Sequence, residues 1–345
     1  MAHCRWLSAH RTACLLTTLL ALLLPFAAAA DWYHEEQAIM GTSVSVTLWA
    51  DSPVTGKQAI AAVMDEMRRV DSTLSSYKPQ SDLSYINQHA WDHPVTITPE
   101  MVRLLDKSLW YSRLSDGAFD ISFASVGQQY DYRTGKQPSD AERKVLQRAI
   151  DYRLITLDQQ SGTVALGHPD MRIGLGGIAK GYAVDRAIAQ LQALGVAHAN
   201  VSAGGDSRIL GDKLGEPWLV GIRNPRAADP EKSVAIVIPL ADAAISTSGD
   251  YERFFFDPDT EERVHHIINP KTGRSASGVT SVSIIGPDGF DTDPLSTTVF
   301  IMGVTEGLAL IERLADFECV IIDAAGEVHY STGLQTPAAV ASAQP

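Results

Sequence analysis

Apolar positions along the chain recur with two periods, and the change from one to the other marks out the elements. Residues 40–50 alternate and are rich in Val and Thr, which predicts a strand. Over 57–74, Ile60, Val63, Met64, Met67, Val70 and Leu74 recur at helical spacing. A second helix is predicted over 99–114 with Thr98 as its N-cap, and Ser139 followed by Glu142 is a capping-box pattern for a third helix ending near Ile150. Segments 154–157 and 163–166, separated by Gln159-Gln160-Ser161-Gly162, read as a hairpin. The next unit is a strand over 171–175, a turn at Gly176-Gly177 and a helix over 178–194. A strand pair follows around Ala203-Gly204-Gly205-Asp206. Strands are predicted at 234–240 and 279–285. Asp293-Pro294 reads as a helix start, because Asp caps and Pro fits the first helical position. A helix at 306–314 and a strand at 319–322 close the fold, and the tail 331–345 is expected to be disordered. Strands come in adjacent pairs, so the pattern predicts an α+β fold with largely antiparallel sheet rather than a doubly wound parallel one. No internal repeat or low-complexity linker is visible, and residues 31–330 read as one domain.

The first thirty residues follow a different logic. Arg5 and Arg11 precede an apolar run over 15–26, and Ala27 to Ala30 supply small residues before Asp31. That is a signal peptide pattern, with cleavage expected between Ala30 and Asp31. A spanning helix needs roughly 20 apolar residues, more than this run holds. Cys4 and Cys14 do not follow the run, so neither is placed to carry a lipid. Removing the segment takes away two basic residues and leaves 26 − 41 = −15 as the net charge of the remaining 315 residues. So acidic a chain is a poor candidate for nucleic-acid binding. Only Cys319 remains, which excludes an internal disulfide and reads as a buried thiol in an apolar run.

Four segments are dense in glycine, hydroxyl and charged residues. In 174–181 (Gly-Leu-Gly-Gly-Ile-Ala-Lys-Gly), a glycine turn feeding a helix exposes N–H groups that suit phosphate, and Lys180 would add a cation. The spacing matches neither the dinucleotide fingerprint nor the P-loop. In His265-His266-Ile267-Ile268-Asn269-Pro270-Lys271-Thr272-Gly273 the two histidines face opposite ways if extended, so they make a poor metal pair. One of them could be a general base. In 291–298, Asp293 and Thr297 lie four apart among hydroxyl and carboxylate oxygens of the kind Mg²⁺ prefers. The last segment, Ala203-Gly204-Gly205-Asp206, is by itself a hairpin turn. Each segment alone has a plain structural reading.

In order, these segments resemble the ApbE family of FAD:protein FMN transferases. The resemblance is carried by Met40-Gly41-Thr42, Leu74-Ser75-Ser76-Tyr77-Lys78-Pro79 and Asp116-Gly117-Ala118-Phe119-Asp120. It continues through 176–185, Gly204-Gly205-Asp206, 266–273, Asp293-Pro294-Leu295-Ser296-Thr297 and Phe300-Ile301-Met302-Gly303. It implies a T-fold-like ApbE architecture that binds FAD and Mg²⁺ in a cleft. By position, Met40, Tyr77, Ala118, Phe119, Asp120, Lys180 and Ile268 would contact FAD. The Mg²⁺ ligands would be the Gly177 carbonyl, Asp293 and Thr297, with Ser296 where relatives place a carboxylate. His266 matches the histidine proposed as the base. The implied reaction transfers FMN from FAD to a Thr or Ser hydroxyl of an acceptor protein, with AMP as the leaving group.

Two departures qualify the match. Gly174 stands where the family commonly has Asp, which puts one contact to FAD or to the metal's surroundings in doubt. The stretch Gln128-Gln129-Tyr130-Asp131-Tyr132-Arg133 differs from the tryptophan-containing segment of many relatives. It points to an acceptor flavoprotein of a membrane respiratory complex of the NosR-like, nitrous-oxide type rather than an Rnf or Na⁺-translocating NADH:quinone oxidoreductase subunit. The expected location is the periplasm. A metal-dependent FAD pyrophosphatase and a non-catalytic periplasmic FAD-binding protein are the alternative readings.

Overall fold

The structure is a computed structural model that describes residues 30–227 and 233–335. Of the expected signal peptide only Ala30 falls within the described residues, and the tail beyond Gln335 lies outside them. Eight strands form one sheet: β1 (Asp31–Ile39), β2 (Thr42–Ala50), β3 (Ala199–Ala203), β4 (Asp206–Leu210), β5 (Ala244–Gly249), β6 (Val279–Gly286), β7 (Glu318–Asp323) and β8 (Val328–Tyr330). They lie side by side in chain order and are antiparallel throughout. The α+β expectation is borne out.

Helices α1 (Pro53–Leu74), α3 (Ala179–Ala193) and α4 (Gly289–Met302) pack in succession across one face of the sheet, with α2 (Pro99–Leu114) against α4. The α1 stripe read from the sequence is buried, and Val44, Val46, Leu48, Val201, Val282 and Ile284 face it and its neighbours from the strands. Each such side chain is worth about 1.5–3 kcal/mol on full burial. The intervening residues Ile209, Ile245 and Val320 face the other way. There they meet Trp218, Ile222, Ile238 and Leu240 of a two-stranded hairpin, Trp218–Arg223 with Val234–Leu240. Both faces of the sheet are therefore covered in its centre.

Five readings change in the structure, the last of them at Asp293. Residues 31–39 form an edge strand that alternation did not reveal, because most of its side chains are exposed or half-exposed. Residues 171–175 are extended but join no sheet. Ile173 exchanges two backbone bonds with the Asn87 side chain, at 2.8 and 2.9 Å, and the Gly174 N–H donates to the Ile121 carbonyl at 2.8 Å. The third helix ends at Leu146 and tightens into a 3-10 turn over Gln147–Ala149. The tail is ordered as far as Gln335: Ser331 is buried and its Oγ accepts the Cys319 N–H at 2.8 Å.

Asp293 is not a helix cap. Asp288 caps α4, accepting the Asp291 N–H at 2.9 Å, and Asp185 of α3 accepts the Gly289 and Phe290 N–H groups at 2.9 and 2.8 Å. Two carboxylates satisfy the first donors, so the helix starts five residues earlier than the Asp-Pro pair suggests. Pro294 lies inside α4, where it removes a single backbone donor. This frees the Asp293 side chain from capping and turns it toward α3.

Candidate active site

Three elements meet at one point: the β3–β4 turn, the start of α3 and the second turn of α4. Gly204 has φ +64, and a Cβ on Gly205 would lie 2.4 Å from the Thr247 carbonyl oxygen, so the turn presses directly on β5. It leads into Asp206, which is 1% exposed. One Asp206 oxygen lies 2.7 Å from Lys180 Nζ, and the buried Oδ1 has no partner among the described residues. Lys180 Nζ is also 3.5 Å from Asp293 Oδ1 and 3.5 Å from the Gly176 carbonyl oxygen. The other Asp293 oxygen accepts the Gly181 N–H at 2.9 Å. Helix α3 carries no side-chain cap at Ile178; its Ala179 N–H donates to the Leu175 carbonyl at 2.9 Å, and Asp293 of α4 takes the Gly181 N–H in place of a cap.

The charges set each other's protonation. Burial, then repulsion from Asp206, raises the Asp293 carboxyl, while Lys180 and the Gly181 N–H pull it back, leaving it at about 7. Burial alone would lower the Lys180 ammonium, but attraction to Asp206 and Asp293 outweighs it and keeps the group charged.

Gly177 and Thr297 complete the pocket. A Cβ on Gly177 would lie 3.2 Å from Thr297 Oγ1 and 3.3 Å from the Phe119 ring, so bare backbone is what fits between them. Asp293 and Thr297 share a helix face, as their spacing implied. Ser296 is occupied elsewhere: its Oγ donates to the Asp293 carbonyl at 2.8 Å and pairs with Ser248 Oγ at 2.8 Å.

The two histidines do take opposite faces. His265 is buried, with Nε2 2.8 Å from the Ala276 carbonyl and Nδ1 accepting the Ile267 N–H at 3.3 Å. Its proton therefore sits on Nε2, and its role is structural. His266 is half-buried, its backbone N–H donates to the Arg253 carbonyl at 3.1 Å, and its Nδ1 is buried without a partner among the described residues. Burial, then the positive charges of Arg253 and Lys180, hold the imidazole down to about 3, so it is neutral. Tyr132, from the divergent 128–133 stretch, stands edge-on to it with ring centres 6.5 Å apart.

The remaining expected contacts are spread around this point. Met40 and Gly41 form the β1–β2 turn, both with positive φ (57 and 69), and Arg253 donates to the Gly41 carbonyl at 3.3 Å. Tyr77 is 88% exposed and carries nothing on its ring faces among the ring contacts of the described residues. Ala118, Phe119 and Asp120 are buried in sequence order. The Asp120 carboxylate accepts the Ser122 N–H and the Tyr152 N–H, both at 2.8 Å, which makes it a loop clamp. Ile268 is buried with Val126, Tyr130 and Val264. Gly174 packs under Phe123 and Ala124, where a Cβ would come within 3.0 Å of the Ala124 methyl.

Asp206, Ser248 and Arg253 were not among the expected site residues. Asp206 had a signal, since it ends the Gly204-Gly205-Asp206 motif. Ser248 and Arg253 had none, because only the folded sheet brings β5 to α4.

A family model described as the ApbE family matches residues 40–321, most of the chain. The chain belongs to the ApbE family. It is 30% identical over 321 residues to the FAD:protein FMN transferase of Treponema pallidum, covering 88% of this chain and 87% of that one. The crystal structure of the ApbE protein of Thermotoga maritima superimposes with a TM-score of 0.80 at 31% identity, covering 88% of this chain and 98% of that one. Flavin transferase ApbE of Vibrio cholerae gives 0.75 at 26% identity, with the same coverage. The T-fold-like ApbE architecture is thus confirmed, and the segments described above lie within the matched range.

Proposed function

We propose that this ApbE-family chain is an exported, Mg²⁺-dependent transferase that moves FMN from FAD to a Thr or Ser hydroxyl of an acceptor protein. The observation that carries the reading is the buried cluster of Lys180, Asp206 and Asp293 at the start of α3, with a neutral His266 within its electrostatic reach.

The donor set suits a small hard dication: the Asp293 carboxylate, the Thr297 hydroxyl and the Gly177 carbonyl would hold it, with the unpartnered Asp206 oxygen nearby. Bound there, Mg²⁺ would neutralise charge on the pyrophosphate. The chain's own residues do the rest. Lys180, at the positive end of α3, binds phosphate oxygens and stabilises the charge that grows on them. The exposed Tyr77 ring offers a platform for a flat heterocycle, and Phe119 packs beside Gly177. Transfer forms a bond from the acceptor oxygen to the FMN phosphorus and breaks the anhydride bond to AMP. The neutral His266 ring can take the hydroxyl proton at nitrogen as that bond forms. The acceptor we favour is a periplasm-facing flavoprotein of a membrane respiratory complex, NosR-like ahead of Rnf or Na⁺-pumping.

Incubating the purified protein with FAD and Mg²⁺, with and without an acceptor domain, tests this when nucleotides are separated by chromatography. AMP should appear in step with protein-bound flavin and stop in EDTA. Free FMN in equal amount with AMP would assign hydrolysis instead, and unconsumed FAD would assign binding only.

A further inference from the structure

We propose that Asp206 is a positioning residue that holds the Lys180 ammonium away from Asp293, keeping the Asp293 carboxylate open to a divalent cation. The proposal rests on Asp293 being a metal ligand and adds a role for a residue outside that set. Lys180 is shared unequally, 2.7 Å from Asp206 and 3.5 Å from Asp293. Both carboxylates are almost wholly buried, with side chains 2% and 3% exposed, so the competition for one ammonium is weakly screened by water. A lysine can swing and Asp206 cannot. The Gly204-Gly205 turn is pressed on Thr247, and Asp206 is locked in register opposite Ala203 and Ser246.

With Asp206 neutral, the best partner left to Lys180 is Asp293, less than one ångström beyond ordinary hydrogen-bond reach. The ammonium would then sit where a cation must. Both Asp206 oxygens are buried without a hydrogen bond among the described residues, one of them holding only the ion pair to Lys180, an arrangement that folding alone disfavours and a site requirement accounts for.

The test measures Mn²⁺ binding to FAD-free protein by electron paramagnetic resonance, in wild type, Asp206→Asn, Lys180→Met and the double variant, with melting curves in EDTA to confirm folding. Asp206→Asn should weaken Mn²⁺ binding about tenfold or more, and Lys180→Met should regain most of that loss in the double variant while gaining far less in wild type. Additive effects, or normal binding by Asp206→Asn, would overturn the proposal. If Asp206→Asn does not fold, a wild-type crystal soaked in Mn²⁺ decides. Lys180 still on Asp206 with the ion on Asp293 supports the proposal, and an ion ligated by Asp206 overturns it. Absence of Mn²⁺ uptake by wild type, with Asp293→Asn indistinguishable from it, would remove the metal site itself.

Discussion

Partly buried, with no partner on Nδ1 among the described residues and the Arg253 and Lys180 cations near it, the His266 imidazole stays neutral well below the usual histidine range. In the unfolded chain the same ring takes up a proton below about pH 6.5, whereas the folded protein resists until about 3. The unfolded state thus binds more protons across that window, so this residue's contribution to stability is intact above about pH 6.5 and is lost as the pH falls. Melting of His266→Gln should therefore fall less steeply than wild type from about pH 6.5 to about pH 4, and equal slopes would refute the assignment. His266→Ala should keep FAD affinity, by fluorescence, while flavin transfer slows by about 10²–10⁴. His265→Ala should instead lose stability, because it strips a buried ring of its bond to Ala276. Alternation along the segment made it legible that the two histidines face apart. Which one faces the pocket depends on the 253–266 pairing, which no local pattern reveals.

Between elements, the α3–α4 contact organises the pocket. A Cβ on Gly181 would lie 1.9 Å from the Gly289 carbonyl oxygen and 2.6 Å from Asp293 Cβ, so the two helices touch backbone to backbone. Gly181→Ala must force them apart, and denaturant titration should show a loss of about 3 kcal/mol together with weakened metal response. Wild-type stability would mean that the helices do not meet this closely. Capping and ligation separate cleanly on α4. Asp288→Ala should cost about 1 kcal/mol of stability and leave Mg²⁺ dependence in place. Asp293→Asn should keep the helix and lose Mg²⁺ dependence, as read by activity against metal concentration. The reverse pattern would return Asp293 to a capping role. Helices α1 and α2 were legible because periodicity and caps agree there. The Asp293-Pro294 pair misled because both residues suit a helix start, while the Asp185 carboxylate that helps fix the true start comes from another helix. Strand β1 and segment 171–175 escaped for related reasons, an edge with little to bury and a stretch satisfied by a side chain 86 positions away.

At the scale of the whole molecule, eight antiparallel strands and the helices on them bring Gly177, Lys180, Asp206, Asp293 and Thr297 together from three separate motifs. The ordered set of motifs made the family legible in the sequence, although each motif alone read as a turn or a cap. The Asp206–Lys180–Asp293 triangle was not legible, since it joins β4, α3 and α4 only after the sheet has formed. Export is tested by intact mass of periplasmic protein, which should begin at Asp31, and a species retaining residues 1–30 or carrying lipid would contradict it. The central claim is transfer of FMN to another protein, and intact-mass spectrometry of an acceptor domain incubated with this protein, FAD and Mg²⁺ tests it most directly. The account predicts an acceptor heavier by one FMN less water, no shift in EDTA, and no shift when the acceptor's target Thr or Ser is replaced by Ala. An acceptor of unchanged mass while FAD is converted to free FMN and AMP would contradict it.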